Sequence, residues 1–159
     1  MTGWNAAKRR YRLVHQAAVD IVQNRQRGLT RWQPAIEAEY GNLDNFLRDI
    51  QRRCFTTVLA RLDAVIEANP ADPQTSVAAV FAEAARVHPD FWQVLGDHAG
   101  HPVLAAGSAR FRRSVLAGTG VDPSALAPGG CPHDMTGPAD GRDPAFPPPA
   151  VRPVCRRVH

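Results

Sequence analysis

The residues best suited to chemistry are the basic side chains in the first part of the chain. Residues 1–60 contain ten Lys and Arg against five Asp and Glu, whereas residues 61–120 contain five against six and residues 121–159 four against four. A local excess of this kind is typical of a phosphate-binding surface, although a solvated helix face gives the same pattern. The side chains that we predict to contact nucleic acid are Lys8, Arg9, Arg10, Arg12, Arg27 and Arg31.

Several cysteines and histidines have spacings that resemble metal sites. They are His98, His101, Cys131, His133, Cys155 and His159. The first histidine pair lies next to Gly100 and Pro102, which predict a turn, and exposed histidines are common in turns. The cysteine pairs lie in proline-rich sequence, and the first pair has a one-residue gap where structural zinc sites have two to four. We therefore predict no bound metal.

The sequence contains no recognisable catalytic or cofactor motif. Gly118-Thr119-Gly120 lacks the lysine and the following helix of a phosphate-binding loop, and Ser108 stands in Ala-Gly-Ser-Ala without the second glycine of a nucleophile elbow. We predict that the protein is not an enzyme and carries no cofactor. The aromatic residues proposed to line a ligand pocket are Phe81, Phe91 and Trp92, although their spacing also fits plain core packing.

The elements that must position these residues are predicted to be helices, because no two-residue strand pattern competes with the helical one. In the first helix, apolar residues recur every three or four positions from Trp4 through Tyr11 to Val22, and the helix is expected to end before Gly28. A short second helix contains Pro34 in its first turn, the only place where a helix tolerates proline well.

The third helix is predicted to be long, with Asn42 as its N-cap. Its apolar stripe runs from Leu43 to Ile66 and includes Cys54, which we interpret as a small core residue. Three shorter helices follow. We expect them to begin after a cap at Thr75 or Ser76, at Pro89 and at Pro102, and the last of them to end at Gly118.

The predicted fold is all-α, a multi-helix bundle with one long central helix followed by a Pro/Gly-rich tail. The helical domain covers 1–118, with basic N-terminal helices at 1–41, the long linking helix at 42–68 and C-terminal helices at 75–117. Nine of the fourteen prolines come after residue 120. This composition predicts a disordered or extended tail over 119–159.

The sequence shows no secretory core and no apolar run of membrane-spanning length. Three cysteines are an odd count, as expected for free thiols in a reducing compartment. We predict a cytoplasmic protein with no membrane partner.

Two segments resemble the TetR-type transcriptional regulators. Tyr40 to Leu47 (YGNLDNFL) is similar to that family's entry into its long linking helix, and Val87 to Leu95 (VHPDFWQVL) is similar to a segment of its effector domain. The resemblance implies that the first helices bind operator DNA and that the long helix transmits motion. It also implies that the C-terminal helices dimerise and enclose a ligand.

The resemblance has one clear departure. Between the first helix and Tyr40 that family places two short helices, whereas residues 28–40 have room for one, so the recognition helix is expected to be missing. Two hypotheses follow. The first is a TetR-like helical regulator, a homodimer that binds nucleic acid through its basic N-terminal half. The alternative is a helical protein-interaction module that does not bind DNA, with the tail as a further docking segment for a protein partner.

Overall fold

A computed structural model of the chain describes residues 2–126, and these form six α-helices and one 3₁₀ turn without any β-strand. The all-α prediction is confirmed for this range. Residues 127–159 of the predicted tail lie outside the described range. None of the helices described is long and apolar enough to cross a membrane. The elements are α1 (Thr2–Asn24), α2 (Gln26–Tyr40), α3 (Leu43–Ala68), α4 (Pro73–Val87), α5 (Pro89–Asp97), α6 (Pro102–Thr119) and the turn Pro123–Ala125.

Helices α1 and α2 form a hairpin, and its turn differs from the prediction. The chain reverses at Arg25, which has a positive φ of 51°. Gly28 was expected to follow the first helix as its stop, but it is buried inside α2. A Cβ atom at Gly28 would lie 2.4 Å from the carbonyl oxygen of Asp20. The glycine is therefore needed for the close approach of two helix backbones.

Pro34 also lies away from its predicted place in a first turn. It is exposed in the middle of the fifteen-residue helix α2. Proline removes one helical hydrogen bond there. The neighbouring Ile36 is only 1% exposed, so the burial of this face against α1 and α3 holds the helix together across the proline.

Helix α3 is the central element, and it packs against α2, α4, α5 and α6. Asn42 caps it as predicted: its side-chain oxygen accepts a hydrogen bond from the backbone N–H of Asn45 at 2.9 Å. The twenty-six residues of α3 span about 39 Å at 1.5 Å per residue. The predicted apolar stripe is buried from Phe46 to Leu62, but Ile66 is 45% exposed.

The N-terminal part of α1 is also less buried than its apolar pattern predicts. Trp4 is 69% exposed and Tyr11 is 54% exposed. Helix α5 packs along the second half of α1, with Phe91 against His15 at 4.7 Å between ring centroids. Because α5 has only nine residues and runs from His15 towards Arg25, which pairs with Asp97, it leaves the first turns of α1 uncovered.

The last helices begin at Pro89 and Pro102 as predicted. Helix α4 begins earlier than expected, because its cap is Asp72, whose carboxylate accepts from the N–H of Thr75 at 3.1 Å. Helix α6 continues past Gly118 to Thr119, and Gly120 caps it with a φ of 71°.

The structured part of the chain also extends beyond the predicted boundary at residue 118. Leu126 is buried in the core, and Val121 packs against it. The tail prediction is therefore wrong for 119–126.

One hydrophobic core joins all six helices. Cys54 is 1% exposed within it, as predicted, and burial raises the pKa of its thiol to about 12. The largest fully buried side chains are Phe46, Phe81, Ile36, Leu47, Ile50, Leu62, Val14, Val58, Val77, Val94 and Val115.

Candidate anion-binding groove

The hairpin divides the predicted basic set into two groups. Four members lie in the first half of α1, whereas Arg27 and Arg31 lie at the start of α2. Arg9 pairs with Glu39 at 3.0 Å, and Arg31 pairs with Asp20 at 3.1 Å. Arg9 and Asp20 are separated by about 16 Å along α1 at 1.5 Å per residue. The six residues therefore do not form one compact patch.

The structure instead brings part of α1 together with arginines of α3. A groove of about 730 Å³ opens between the first half of α1, the end of α2 and the start of α3. We call it the arginine groove. Its lining residues are Ala6, Ala7, Arg10, Tyr40, Asn45, Arg48, Asp49, Arg52 and Arg53.

Local sequence explains why α3 contributes so many of these side chains. The Asn42 cap fixes the start of the helix, and positions 45, 48, 49 and 52 then share one face because they are three or four residues apart. The cap region is tied further to α2, because the side-chain amide of Asn45 donates to the carbonyl oxygen of Tyr40 at 2.9 Å. On the opposite wall the small side chains of Ala6 and Ala7 leave the groove open.

Asp49 is the organising residue of the groove. Its carboxylate accepts hydrogen bonds from Arg52 at 2.5 Å, from Arg53 at 2.8 Å and from the Tyr40 hydroxyl at 3.0 Å. The Asp49 side chain is only 13% exposed, whereas that of Arg52 is 70% exposed. One inward carboxylate thus orients two guanidinium groups and leaves part of Arg52 facing solvent.

The electrostatic balance of the groove is positive. Its lining contains four arginines and one carboxylate, Arg48 donates to the neutral side chain of Asn45 at 3.1 Å, and Arg10 pairs with Glu39 outside the lining at 3.8 Å. Arginine offers a planar fork of N–H donors that matches the oxygens of a phosphate. The arrangement can therefore bind an anion with several phosphates.

Ionisation in the groove follows from the same contacts. Partial burial of Asp49 opposes its charge, but the hydrogen bonds from Arg52 and Arg53 outweigh that effect and hold the pKa of the carboxyl below its usual range. For Tyr40, burial and the neighbouring Asp49 charge raise the pKa of the phenol well above its ordinary value. Tyr40 is therefore a neutral hydrogen-bond donor at physiological pH.

Sequence reasoning found Arg10 but missed the groove residues of α3. Arg48 and Arg52 are four residues apart on the polar side of a predicted helix, which was the available signal. That spacing alone describes any solvated helix face. Their meeting with Arg10 depends on how the tertiary fold places α1 and α3 on either side of the groove, and no local sequence pattern predicts this placement.

The residues proposed for a ligand pocket lie elsewhere. Phe81, Phe91 and Trp92 are buried in the core, each at most 6% exposed. Phe81 packs edge-on against Phe111 with 5.8 Å between ring centroids, and Trp92 lies 6.5 Å from Phe55. The structure places these rings in helix packing rather than along the arginine groove.

His98 and His101, considered above as a metal-binding pair, each make a hydrogen bond to a different part of the backbone. Nδ1 of His98 donates to the carbonyl oxygen of Val94 at 2.8 Å, while His101 caps α6 by accepting from the N–H of Val103. Within residues 2–126, no three His, Cys, Asp or Glu side chains come together as metal ligands would. Cys131, His133, Cys155 and His159 lie outside the described residues.

Comparison with known proteins gives no identification. No family model, no curated protein and no solved structure matches the chain. The TetR-type resemblance therefore stays a prediction. Its expected departure does have a structural counterpart, because a single helix, α2, connects α1 to Tyr40.

Proposed function

We propose that this chain is a nucleic-acid-binding helical protein of the transcriptional-regulator type, which contacts phosphates through its basic N-terminal half. The observation that supports this proposal is the arginine groove, where four arginines from two helices face a common opening with one carboxylate among them. Such a surface would give affinity for a polyanion by releasing its counterions.

The proposed mode of binding differs from that of a helix-turn-helix. In that motif the second helix enters the major groove and reads base edges. Here α2 packs against both α1 and α3, and its Gly28 and Ile36 are buried. Contacts made by the groove arginines would position the nucleic acid by its phosphates and carry no base information of their own.

The proposal is tested by fluorescence anisotropy with a labelled oligonucleotide over a salt series. If about four phosphates are neutralised, the logarithm of the association constant should fall with the logarithm of salt concentration with a slope of about −3 to −4. The variant Arg48→Ala/Arg52→Ala should make that slope shallower by about two. Both side chains are exposed, so the fold should persist.

The matched control is Arg110→Ala/Arg113→Ala, which removes two exposed arginines of α6 that do not line the groove. This control changes the net charge equally but should leave the slope close to that of the unaltered protein. Absence of binding at low salt, or an equal effect of the two double variants, would contradict the proposal.

A second candidate is the protein-interaction module that does not bind DNA. The observation that favours it is the exposure of large apolar side chains on α3 and α6, namely Leu59, Ile66 and Leu116. The homodimer proposed for the regulator would bury the same side chains. Sedimentation equilibrium of the full chain and of Leu59→Ser/Leu116→Ser tests it, since the variant should shift the protein towards monomer. A monomeric unaltered protein would contradict the dimer.

A further inference from the structure

We propose that the nucleic acid bound by this protein is single-stranded, with its phosphates on the arginine groove and its bases stacked on Trp4 and Tyr11. This inference rests on the proposed function, because it names the partner of the same basic surface. It is carried by aromatic rings that stand open to solvent beside the groove.

The first step is the exposure of the two rings. Trp4 and Tyr11 are 69% and 54% exposed, although other aromatic side chains such as Phe91 and Trp92 are buried. Trp4 and Tyr11 are seven positions apart, so the two rings project from the same side of α1, two turns apart. Tyr11 also contacts His15, with 4.4 Å between ring centroids, so the part of each ring that stays exposed is the surface on which an unpaired base can stack.

The second step is the placement of cations beside these rings. Nζ of Lys8 lies 4.9 Å from the centre of the Trp4 ring, and the guanidinium carbon of Arg53 lies 5.8 Å from the centre of Tyr11. Arg53 also lines the groove and is held there by Asp49. The aromatic side of α1 and the phosphate-binding side of α3 are thus joined through one residue.

The third step concerns spacing. Trp4 and Tyr11 are separated by about 10.5 Å along α1 at 1.5 Å per residue. This is about three times the 3.4 Å rise per nucleotide of one strand in duplex DNA, and an unstacked strand covers the same distance in fewer nucleotides. A strand that follows α1 can therefore present one base to Tyr11 and another a few nucleotides away to Trp4, while its backbone lies against Arg10 and Arg48 on the adjoining groove.

A single strand suits these features better than a duplex. In a duplex the bases are paired and stacked on one another, so their faces are not available to side chains. Trp4 and Tyr11 would then make no stacking contact with the bound nucleic acid. A duplex reader also needs an element that enters a groove, and α2 is packed into the hairpin instead.

The experiment compares three labelled ligands of equal length, about 12 nucleotides, a length within the usual site sizes of single-strand binders. They are oligothymidylate, a phosphodiester of the same length without bases, and a duplex. At low salt the full chain should bind oligothymidylate about tenfold more tightly than the abasic strand, because stacking adds to the phosphate contacts. Oligouridylate should behave like oligothymidylate.

The variant Trp4→Ala/Tyr11→Ala should lose this tenfold preference while its affinity for the abasic strand stays unchanged. Trp4→Phe/Tyr11→Phe should retain most of the preference, since both rings remain. The control Val19→Ala/Val87→Ala removes exposed apolar side chains elsewhere and should keep it in full.

Failure of this inference can be told apart from failure of the proposed function. Binding of the abasic strand as tightly as oligothymidylate, or tighter binding of the duplex, would overturn the single-strand inference and leave the phosphate-binding surface in place. Absence of binding to all three ligands at low salt would overturn both.

Discussion

Helix α3 carries polar side chains on two sides, and the two sides differ in charge and in access to solvent. Towards α1 and α2, Asp49 organises arginines that remain partly open to water. Towards α6, Gln51 is 6% exposed and donates from its amide to the carbonyl oxygen of Leu104 at 2.9 Å and to the Ser108 hydroxyl at 3.0 Å. The first side resembles a binding surface and the second a structural contact.

The difference shows how polar groups can be used in one bundle. A buried amide must be satisfied inside the protein, because a lost hydrogen bond there leaves an unpaired donor. Gln51 meets this condition only because Gly107 leaves room for it. The N–H groups of Arg52 and Arg53 are hydrogen-bonded by the Asp49 carboxylate or by solvent, so the donors that do not bind Asp49 are available to a ligand. Changes on the two sides should therefore have different consequences.

The largest effect is expected from Gly28→Ala in the hairpin that supports the groove. The added methyl would meet the Asp20 carbonyl carbon and oxygen and the Ile21 Cα atom, all within 3 Å, and backbone atoms cannot rotate away. We expect a loss of about 3 kcal/mol in the free energy of unfolding, because α1 and α2 must separate. Urea denaturation followed by circular dichroism measures it, and oligonucleotide binding should weaken as well.

Gly100→Ala is the matched control for this substitution. Nothing lies within 4 Å of a Cβ atom at Gly100, and its φ is not in the left-handed region. It should be neutral or slightly stabilising, because alanine restricts the unfolded chain. Equal losses at the two glycines would show that the close crossing of α1 and α2 is not needed for stability.

A smaller effect is expected on the opposite side of α3, from Gly107→Ala. The methyl would lie 2.0 Å from Oε1 of Gln51 and force that side chain out of its hydrogen bonds. We expect a loss of about 2 kcal/mol, with oligonucleotide affinity unchanged. In a Gln51→Ala background the same substitution should cost less than about 0.5 kcal/mol, and a double-mutant cycle measures the coupling. Additive losses would contradict the contact.

The smallest effect on stability is expected from Asp49→Asn within the groove. The pKa of Asp49 is lower in the folded protein than in the unfolded chain, so its contribution is present above about pH 4 and is lost as the pH falls further. The variant should be less stable by about 1 kcal/mol at neutral pH, and the difference should shrink in acid. Urea midpoints at several pH values measure this.

Asp63→Asn provides the control on the same helix, because Asp63 is exposed and lies outside the groove. It should leave the stability at neutral pH unchanged. At neutral pH, Asp49→Asn should also steepen the salt dependence of oligonucleotide binding, because one competing carboxylate is removed from the arginines. A shallower salt dependence would show that Asp49 is needed to orient them.

The sequence by itself determined most of the helices, because their signals are local. The side chain of Asn42 caps α3 by accepting a hydrogen bond from the N–H of Asn45, three residues further on. Pro89 and Pro102 begin helices because the proline ring fixes φ near its helical value. The apolar residues from Phe46 to Leu62 recur every three or four positions, and this spacing alone predicts a buried helix face. Each of these features acts within one or a few turns of helix.

Only the tertiary structure decided the features that depend on where helices cross. Gly28 looks like a helix stop in sequence, but its missing side chain serves the approach of α1 to α2. Trp4 and Tyr11 follow an apolar period, yet they are exposed because α5 is too short to cover them. Arg10 and Arg48 lie far apart in the chain and face one groove. The packing of whole helix faces sets these relations, and no short stretch of residues encodes them.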